Sequence, residues 1–171
     1  GAMHFDPEAF MALTVDREVL RQYNVDSPSL EGYLFPDTYY FPSKSTPREV
    51  MEMLLQRFFT AWTSEHEERA RALGMTRGQA LTLASIIEGE VLVHAESRRI
   101  SAVYHNRLRQ NMLLQADPTV LYALGGERRR VFYRDLTVDS PYNTYMNLGL
   151  PPGPICNPGL AAIEASLSPL E

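Results

Sequence analysis

The sequence predicts an α+β fold that is predominantly helical, with minor short strands. Helix-start signals recur along the chain, each a capping residue followed by proline or, three positions on, by glutamate or glutamine. Between these signals, apolar residues repeat at the period of a helix that buries one face. A proline-bracketed aromatic stretch is the exception and is typical of extended backbone. With 171 residues, the chain is long enough for one domain with a sizeable core.

The N-terminal segment, residues 1–29, is predicted to be a helical linker. Apolar and charged positions from residue 6 to residue 22 follow helical spacing, which predicts a short helix. We expect the opening Gly1-Ala2-Met3 to be the scar of a cleaved tag, so that a signal peptide or membrane anchor of the natural protein lies outside this piece. The main domain is predicted to span residues 30–171.

The next two elements are an extended stretch and a long helix. Residues 30–42 are rich in aromatic side chains and contain prolines, which predicts one or two short extended pieces. In the helix that follows, Thr46 can cap the start, Pro47 suits the first helical position and Glu49 occupies the capping-box position. The apolar spacing continues this helix to about Leu73.

The helix predicted after Thr76 differs from the others because it has no polar face. Thr76 is expected to cap it, with Gln79 reaching back to the cap. Residues 80–91 are then apolar all round, apart from two hydroxyl and two glutamate side chains. A helix of this composition is predicted to be buried on most of its sides.

Three further helices and one long loop complete the prediction. The helices are expected at about residues 95–110, 117–124 and 159–167, the second capped by Asp117 and the third by Asn157. Residues 127–157 contain several turn formers and little periodicity, which predicts a long structured loop. Loops of that length often carry functional residues.

Composition excludes several classes of function. The formal net charge of −5 argues against a nucleic-acid binder, which normally has a basic face. Cys156 is the single cysteine, so the chain cannot form an internal disulfide. The sequence has no apolar run of the length that spans a membrane, no glycine-rich phosphate loop and no Gly-x-Ser-x-Gly nucleophile turn.

Glu88 is the residue that points most directly to chemistry. It lies on a helix built for burial, where an ionised carboxylate must find a partner or raise its pKa. A carboxylic acid that stays protonated near neutral pH can donate its proton to the oxygen of a glycosidic bond. The alternative is a purely structural salt bridge between Glu88 and Arg98 or Arg107.

A second catalytic group is not evident near Glu88. Glu90 is two positions on and therefore points to nearly the opposite side of the helix. A hydrolase with two carboxylates would draw its second one from elsewhere, for example from Glu31, Asp37 or Asp117. Glu90 and His94 are four positions apart and could share an ion, but no His-Glu-x-x-His spacing exists, so neither a metal nor a cofactor is predicted.

Seven sequence motifs follow one another in an order that resembles a known family. They are Glu31-Gly32-Tyr33-Leu34-Phe35-Pro36-Asp37-Thr38-Tyr39, Leu83-Ala84-Ser85-Ile86-Ile87-Glu88, Asn106-Arg107-Leu108, Leu114-Gln115-Ala116-Asp117-Pro118-Thr119-Val120, Tyr142-Asn143-Thr144-Tyr145, Gly149-Leu150-Pro151-Pro152-Gly153-Pro154-Ile155 and Asn157-Pro158-Gly159. Together they resemble the endolytic murein transglycosylase family, also called YceG-like, from about residue 30 to residue 169.

The resemblance implies a lysozyme-like helical catalytic core and a lytic transglycosylase activity. Members cleave the β-1,4 bond between N-acetylmuramic acid and N-acetylglucosamine in nascent peptidoglycan and leave a 1,6-anhydro end, which is not a hydrolysis. The catalytic glutamate of the family matches Glu88. The resemblance also implies glycan strands as substrate, cell-wall synthases as partners, and a position at the extracytoplasmic face of the cytoplasmic membrane, with the anchor outside this piece.

The same resemblance assigns substrate-binding and supporting residues. The substrate-binding set is Gln115, Asp117, Tyr142, Asn143, Thr144 and Tyr145, whose donors, acceptors and ring faces suit acetamido sugars. The supporting set is Glu31, Glu90 and Arg107, with Glu31 and Arg107 either bracing the site or pairing with each other. The structural alternatives are a helix cap for Asp117 and a turn for Asn143.

The chain departs from the family pattern in two respects. Members usually have a lysine directly after the catalytic glutamate, where this chain has Gly89, and Val91 replaces a threonine or alanine. They also continue past Pro169 with further strands and typically carry a LysM-like region, so we expect this chain to be a C-terminally shortened piece. The alternative functions are a non-catalytic peptidoglycan-binding or scaffold module of the cell-wall synthesis machinery, and a glycoside hydrolase.

Overall fold

The computed structural model describes residues 5–91, 93–126 and 129–170, and the chain is mainly helical over these ranges. The α-helices are α1 Pro7–Thr14, α2 Arg17–Gln22, α3 Pro47–Ala61, α4 Ser64–Ala72, α5 Arg77–Glu90, α6 Ser97–Arg109, α7 Asp117–Ala123 and α8 Leu160–Leu167. Two short 3-10 helices lie at His94–Glu96 and Tyr133–Thr137. No strand occurs in the described ranges, so the predicted minor strands are not found there.

The N-terminal segment forms two helices where one was predicted. Asp6 caps α1 and Asp16 caps α2, because each carboxylate accepts backbone N–H groups of the first turn that follows it. Val19 is buried in the common core, and the backbone N–H of Leu30 donates to the carbonyl of Thr14 at 2.8 Å. The predicted linker segment therefore shares its core with the residues that follow position 30.

The long helix predicted from Thr46 to Leu73 is broken. Its predicted start is confirmed, since Thr46 and Glu49 form a reciprocal capping box. It ends at Ala61, and the backbone N–H of Thr63 donates to His66 Nδ1 at 3.0 Å as α4 begins. The imidazole here takes the place that glutamate or glutamine holds in an ordinary capping box, which is why the sequence pattern did not reveal the break.

Helix α5 is the centre of the molecule, as its apolar sequence predicts. Every residue from 80 to 87 is buried, and the helix packs against α4, α6, α7 and α8. After this buried stretch, the last turn, which carries Glu88 and Glu90, returns to the surface. The fold thus places both glutamates at the edge of the core.

The aromatic stretch at residues 30–42 lies along the core without forming a β-ladder. Tyr33 and Phe35 are buried, while Asn157 Oδ1 accepts the backbone N–H groups of Gly32 at 2.8 Å and Leu34 at 3.2 Å. A single side chain therefore satisfies the donors that a neighbouring strand would otherwise have paired.

Two helix starts differ from the predicted caps. Asp117 is the first residue of α7 and makes no cap hydrogen bond to it, and the N-cap position is Ala116. Likewise the N-cap of α8 is Gly159, because Asn157 uses its side chain to hold the aromatic stretch. Both predicted cap side chains are engaged in long-range contacts instead.

Candidate active site

Glu88 lies in the last turn of α5, half-buried, with its carboxylate at the start of α8. Its Oε2 accepts the backbone N–H of Gly159 at 3.2 Å. No basic side chain lies within salt-bridge distance of Glu88 in the described ranges. Of the two predicted structural partners, Arg98 donates to the carbonyl of Ser168 and Arg107 to that of Leu114. The carboxylate is thus positioned by a main-chain amide.

The carboxylate of Glu88 lines a surface cavity of about 630 Å³, large enough for a sugar unit. The described lining residues are Glu88, Gly89, Val91, Pro118, Leu121, Tyr122, Gly126, Arg129, Ile155 and Cys156. Glu88 is the only acidic residue among them. The arrangement therefore presents one carboxyl group, on a mostly apolar wall, to whatever enters the cavity.

Ser85 fixes the wall opposite α7. It is fully buried one turn before Glu88, and its Oγ donates to the carbonyl of Thr82 at 2.8 Å and accepts the N–H of Ile155 at 3.0 Å. The thiol of Cys156 donates to the Ser85 carbonyl at 3.4 Å. The residues beside Glu88 are therefore tied to the helix that carries it. The signal available in the sequence was a hydroxyl on a helix that is otherwise apolar.

Tyr122 and Glu31 brace the cavity from the α7 side. The Tyr122 hydroxyl donates to Glu31 Oε2 at 3.0 Å, and the Tyr122 and Tyr142 rings lie 4.7 Å apart. Burial is the main cause that raises the pKa of both phenols, and the nearby Glu31 carboxylate adds to it. Glu31 therefore pairs with a tyrosine and not with Arg107. Tyr122 lines the cavity directly but was missing from the predicted site.

Glu90 belongs to a separate cluster on the far side of the α5 terminus. It does not line the Glu88 cavity, and it accepts the Tyr104 hydroxyl at 3.2 Å. Burial raises the pKa of Glu90, while Tyr104, the backbone amide of Asp117 and the charge of Arg107 act in the opposite direction. The two glutamates diverge as helical spacing predicts. The side chain of His94, the other group weighed for a metal, is outside the part that the structure describes.

Asp117 and Tyr145 meet at the surface next to this cluster. The Tyr145 hydroxyl donates to Asp117 Oδ1 at 2.6 Å, and both residues line a second cavity. Burial and the Asp117 carboxylate raise the pKa of Tyr145 to about 12. Gln115 is exposed, has a positive φ of 51°, and donates its backbone N–H to the carbonyl of Thr144. These three side chains are accessible to a ligand.

Asn143 and Thr144 are buried, which corrects the prediction that they contact substrate. The Asn143 amide donates to the carbonyls of Leu136 at 3.0 Å and Val138 at 2.8 Å, and its oxygen accepts the N–H of Tyr145. Thr144 Oγ1 accepts the N–H of Ala116 at 3.0 Å. With their polar groups engaged inside the protein, both residues position the loop and the start of α7.

The chain matches the model of a known protein family. The model of the YceG-like family matches residues 6–171, which includes α1 and α2 as well as the region where the motifs lie. The chain belongs to the YceG-like family. The resemblance inferred from the motifs is thereby confirmed.

Two curated relatives of this YceG-like chain are named endolytic murein transglycosylase. The chain is 42% identical, over 156 residues, to the endolytic murein transglycosylase of Bacillus subtilis, covering 91% of this chain and 43% of that protein. It is 32% identical, over 184 residues, to the endolytic murein transglycosylase of Streptococcus pneumoniae D39, covering 94% of this chain and 33% of that protein. The chain therefore spans less than half the length of these relatives.

A solved structure shares the fold. The crystal structure of a YceG-like protein from Listeria monocytogenes superposes with a TM-score of 0.84 at 33% identity, covering 97% of this chain and 59% of that one. The likeness extends over nearly all of the residues described above. The helical arrangement around α5 is thus a property of the YceG-like fold.

Proposed function

We propose that this chain is the catalytic part of an endolytic murein transglycosylase with Glu88 as its acid and base. The bond cleaved is the β-1,4 linkage between N-acetylmuramic acid and N-acetylglucosamine in peptidoglycan strands. Membership of the YceG-like family and the names of the two relatives support this activity. The observation that carries the proposal is the Glu88 carboxyl on the wall of a cavity of about 630 Å³, held by the N–H of Gly159 and without a basic partner in the described ranges.

The reaction needs only one enzymic carboxyl group. Glu88, protonated, gives its proton to the glycosidic oxygen as that bond breaks and the N-acetylglucosamine side leaves with a hydroxyl group. The 6-hydroxyl of the same muramyl residue attacks its own anomeric carbon and loses its proton to the Glu88 carboxylate. A 1,6-anhydro ring forms and Glu88 returns to its starting state. Because nucleophile and electrophile belong to one sugar, the ring closes without a second molecule being ordered.

The other carboxylates weighed for a hydrolase are engaged elsewhere. Glu31 accepts from Tyr122, Asp117 accepts from Tyr145, and Asp37 forms an ion pair with Arg57 at 2.6 Å. None of the three lines the cavity at Glu88. Glycoside hydrolysis ordinarily requires two carboxyl groups facing one bond, so the arrangement supports transglycosylation over hydrolysis.

The proposed setting is the cell envelope. We infer that the substrate is the nascent glycan strand, that the site faces away from the cytoplasm at the cytoplasmic membrane, and that cell-wall synthases are partners. These inferences rest on the family resemblance. Among the described helices, none combines the length and the apolar character needed to cross a bilayer.

Analysis of sugar ends tests the proposal. Purified murein incubated with the chain should yield fragments that end in 1,6-anhydro-muramyl residues, and mass spectrometry identifies these because they are one water lighter than reducing ends. Fragments with reducing ends would replace the proposal with a hydrolase. Murein that is bound but not cleaved would replace it with a binding or scaffold module.

A further inference from the structure

A second cavity, of about 480 Å³, adjoins the one at Glu88. The two share Leu121 and Arg129 in their walls, and Asp117 in the second is followed directly by Pro118 in the first. A ligand that occupies the Glu88 cavity can therefore continue into this one. Neither the proposed acid–base chemistry nor the packing of the core uses the second cavity.

The second 3-10 helix and the loop before it form one wall of this cavity, and this wall is rich in basic and aromatic side chains. Arg130, Phe132 and Tyr133 line it, and the Tyr133 side chain is almost entirely exposed. The guanidinium of Arg134 lies 5.5 Å from the centre of the Phe132 ring and is 83% exposed. Large aromatic and arginine side chains at the surface are the types that dominate recognition sites.

Among the described residues around this cavity, the positive charges outnumber the negative ones. Asp135 is buried and accepts Arg129 Nη1 at 2.7 Å and the N–H of Phe132 at 2.9 Å, so its carboxylate is used to hold the loop. It lies 4.0 Å from Arg134 Nε, at the limit of an ion pair. Asp117, across the cavity, accepts the hydroxyl of Tyr145. Arg130 is exposed and lines the cavity, and the exposed guanidinium of Arg134 lies beside it, against the ring of the lining residue Phe132.

We propose that this cavity binds the carboxylate-bearing peptide stem of a muramyl residue on the strand being cut. The proposal rests on the proposed function, since it gives the same site its substrate class. The lactyl group of muramic acid carries a peptide with free carboxylates, and a planar guanidinium binds a carboxylate through two parallel hydrogen bonds. Tyr133 offers an apolar ring for the aliphatic parts of the stem.

A peptide fits this wall better than a further sugar does. Sugars often stack on open aromatic faces, whereas the Phe132 ring here already contacts two guanidinium groups, those of Arg129 and Arg134, at 5.9 and 5.5 Å from its centre. An anionic ligand is attracted electrostatically by the guanidinium groups of Arg130 and Arg134, and an uncharged ligand is not. The site should therefore distinguish strands with stems from strands without them.

The test compares two substrates that differ only in the stems. Binding is measured in the Glu88→Gln background with glycan oligomers that carry peptide stems and with the same oligomers after an amidase has removed them. The double change Arg130→Gln with Arg134→Gln should weaken binding of the stem-bearing oligomers roughly 5- to 20-fold and leave the bare oligomers unaffected. Higher salt should reduce the preference of the unaltered site, because the contacts are between exposed charges.

Two control proteins accompany the test. Arg17→Gln with Arg99→Gln removes two exposed arginines from other helices and should change neither affinity. Arg130→Lys with Arg134→Lys keeps the charge and should restore part of the preference. Cleavage is assayed separately with Glu88 intact, so that a chain which binds stems but does not cut contradicts the proposed function and not this inference. Equal loss on both substrates, no loss on either, or no binding of stem-bearing oligomers at all would overturn the inference.

Discussion

At the scale of the residue, Gly89 explains how closely the two walls of the Glu88 cavity can approach each other. A Cβ atom at position 89 would lie 2.8 Å from Cβ and 3.0 Å from Cγ of Pro118, closer than such atoms pack. The family pattern has lysine at this position. The replacement of that lysine by glycine therefore has a physical reason. In this chain the start of α7 packs directly against the end of α5, and a side chain at position 89 would hold the two helices apart.

Gly89→Ala is expected to destabilise the fold by about 1–2 kcal/mol, because overpacking against a rigid proline ring, at about 2–3 kcal/mol, outweighs the roughly 1 kcal/mol that alanine gains in a helix. Denaturant unfolding measures the change. Gly159→Ala is the matched control, since its Cβ would meet only Glu88 Oε2, at 3.8 Å, and it should cost less than about 1 kcal/mol. An equal or more stable Gly89→Ala protein would refute the close contact.

At the scale of the element, Asn157 joins the aromatic stretch to the entrance of α8. Its side-chain oxygen accepts the N–H groups of Gly32 and Leu34, far away in the sequence. Two positions on, the N–H of Gly159 holds Glu88. The same turn thus anchors a segment of the core and positions the proposed catalytic group.

Asn157→Ala is expected to cost about 2–3 kcal/mol, because it leaves two partly buried N–H donors without an acceptor. Asn157→Asp retains the oxygen that accepts these bonds and should lose much less. Thermal unfolding of the pair measures the difference. If both variants lost the same stability, the cost would come from the side chain's packing and not from these hydrogen bonds.

Helices whose starts follow local rules could be predicted from sequence, and contacts between distant segments could not. The capping boxes at Thr46 and Thr76 involve residues three positions apart, and both were predicted correctly. The break at Thr63 was missed because a histidine closes the turn. The strands predicted in residues 30–42 failed because Asn157, which no local pattern links to them, takes the hydrogen bonds.

The candidate active site shows the same limit of prediction from sequence. Glu88 stood out because a glutamate on an apolar helix is costly, and the family resemblance matched it to the catalytic position. Its partner Gly159, the bracing Tyr122 and the burial of Asn143 depend on how separate elements pack. No periodic pattern in the sequence indicates contacts of this kind.

At the scale of the whole molecule, several tyrosines are held in the phenol form. Burial raises the pKa of Tyr33, Tyr104 and Tyr122 well above the ordinary value, and that of Tyr145 rises from 10.0 to about 12. A tyrosine whose pKa is higher in the folded chain than in the unfolded chain contributes its full stabilisation when the pH is below its unfolded pKa. That contribution is lost as the pH rises through the folded pKa.

The thermal unfolding midpoint should therefore fall progressively between about pH 10 and about pH 12, since the unfolded chain releases phenolic protons that the folded chain retains. Differential scanning calorimetry across this range measures the fall. Tyr145→Phe should make it shallower, because one of the shifted phenols is removed. A midpoint that is constant up to about pH 12 would contradict the burial of these hydroxyl groups.

The substitution Glu88→Gln, which replaces one carboxylate oxygen by an amide nitrogen, tests the proposed catalytic role of Glu88 most directly. Glu88→Gln keeps an oxygen to accept the N–H of Gly159, so the variant should fold and bind murein like the unaltered chain. Its release of 1,6-anhydro-muropeptides should fall by at least about 100-fold, because the proposed proton donor and acceptor is gone. Glu68→Gln, the same change at an exposed position on α4, should retain full activity. Undiminished anhydro products from Glu88→Gln would contradict the assignment of Glu88 as the catalytic group.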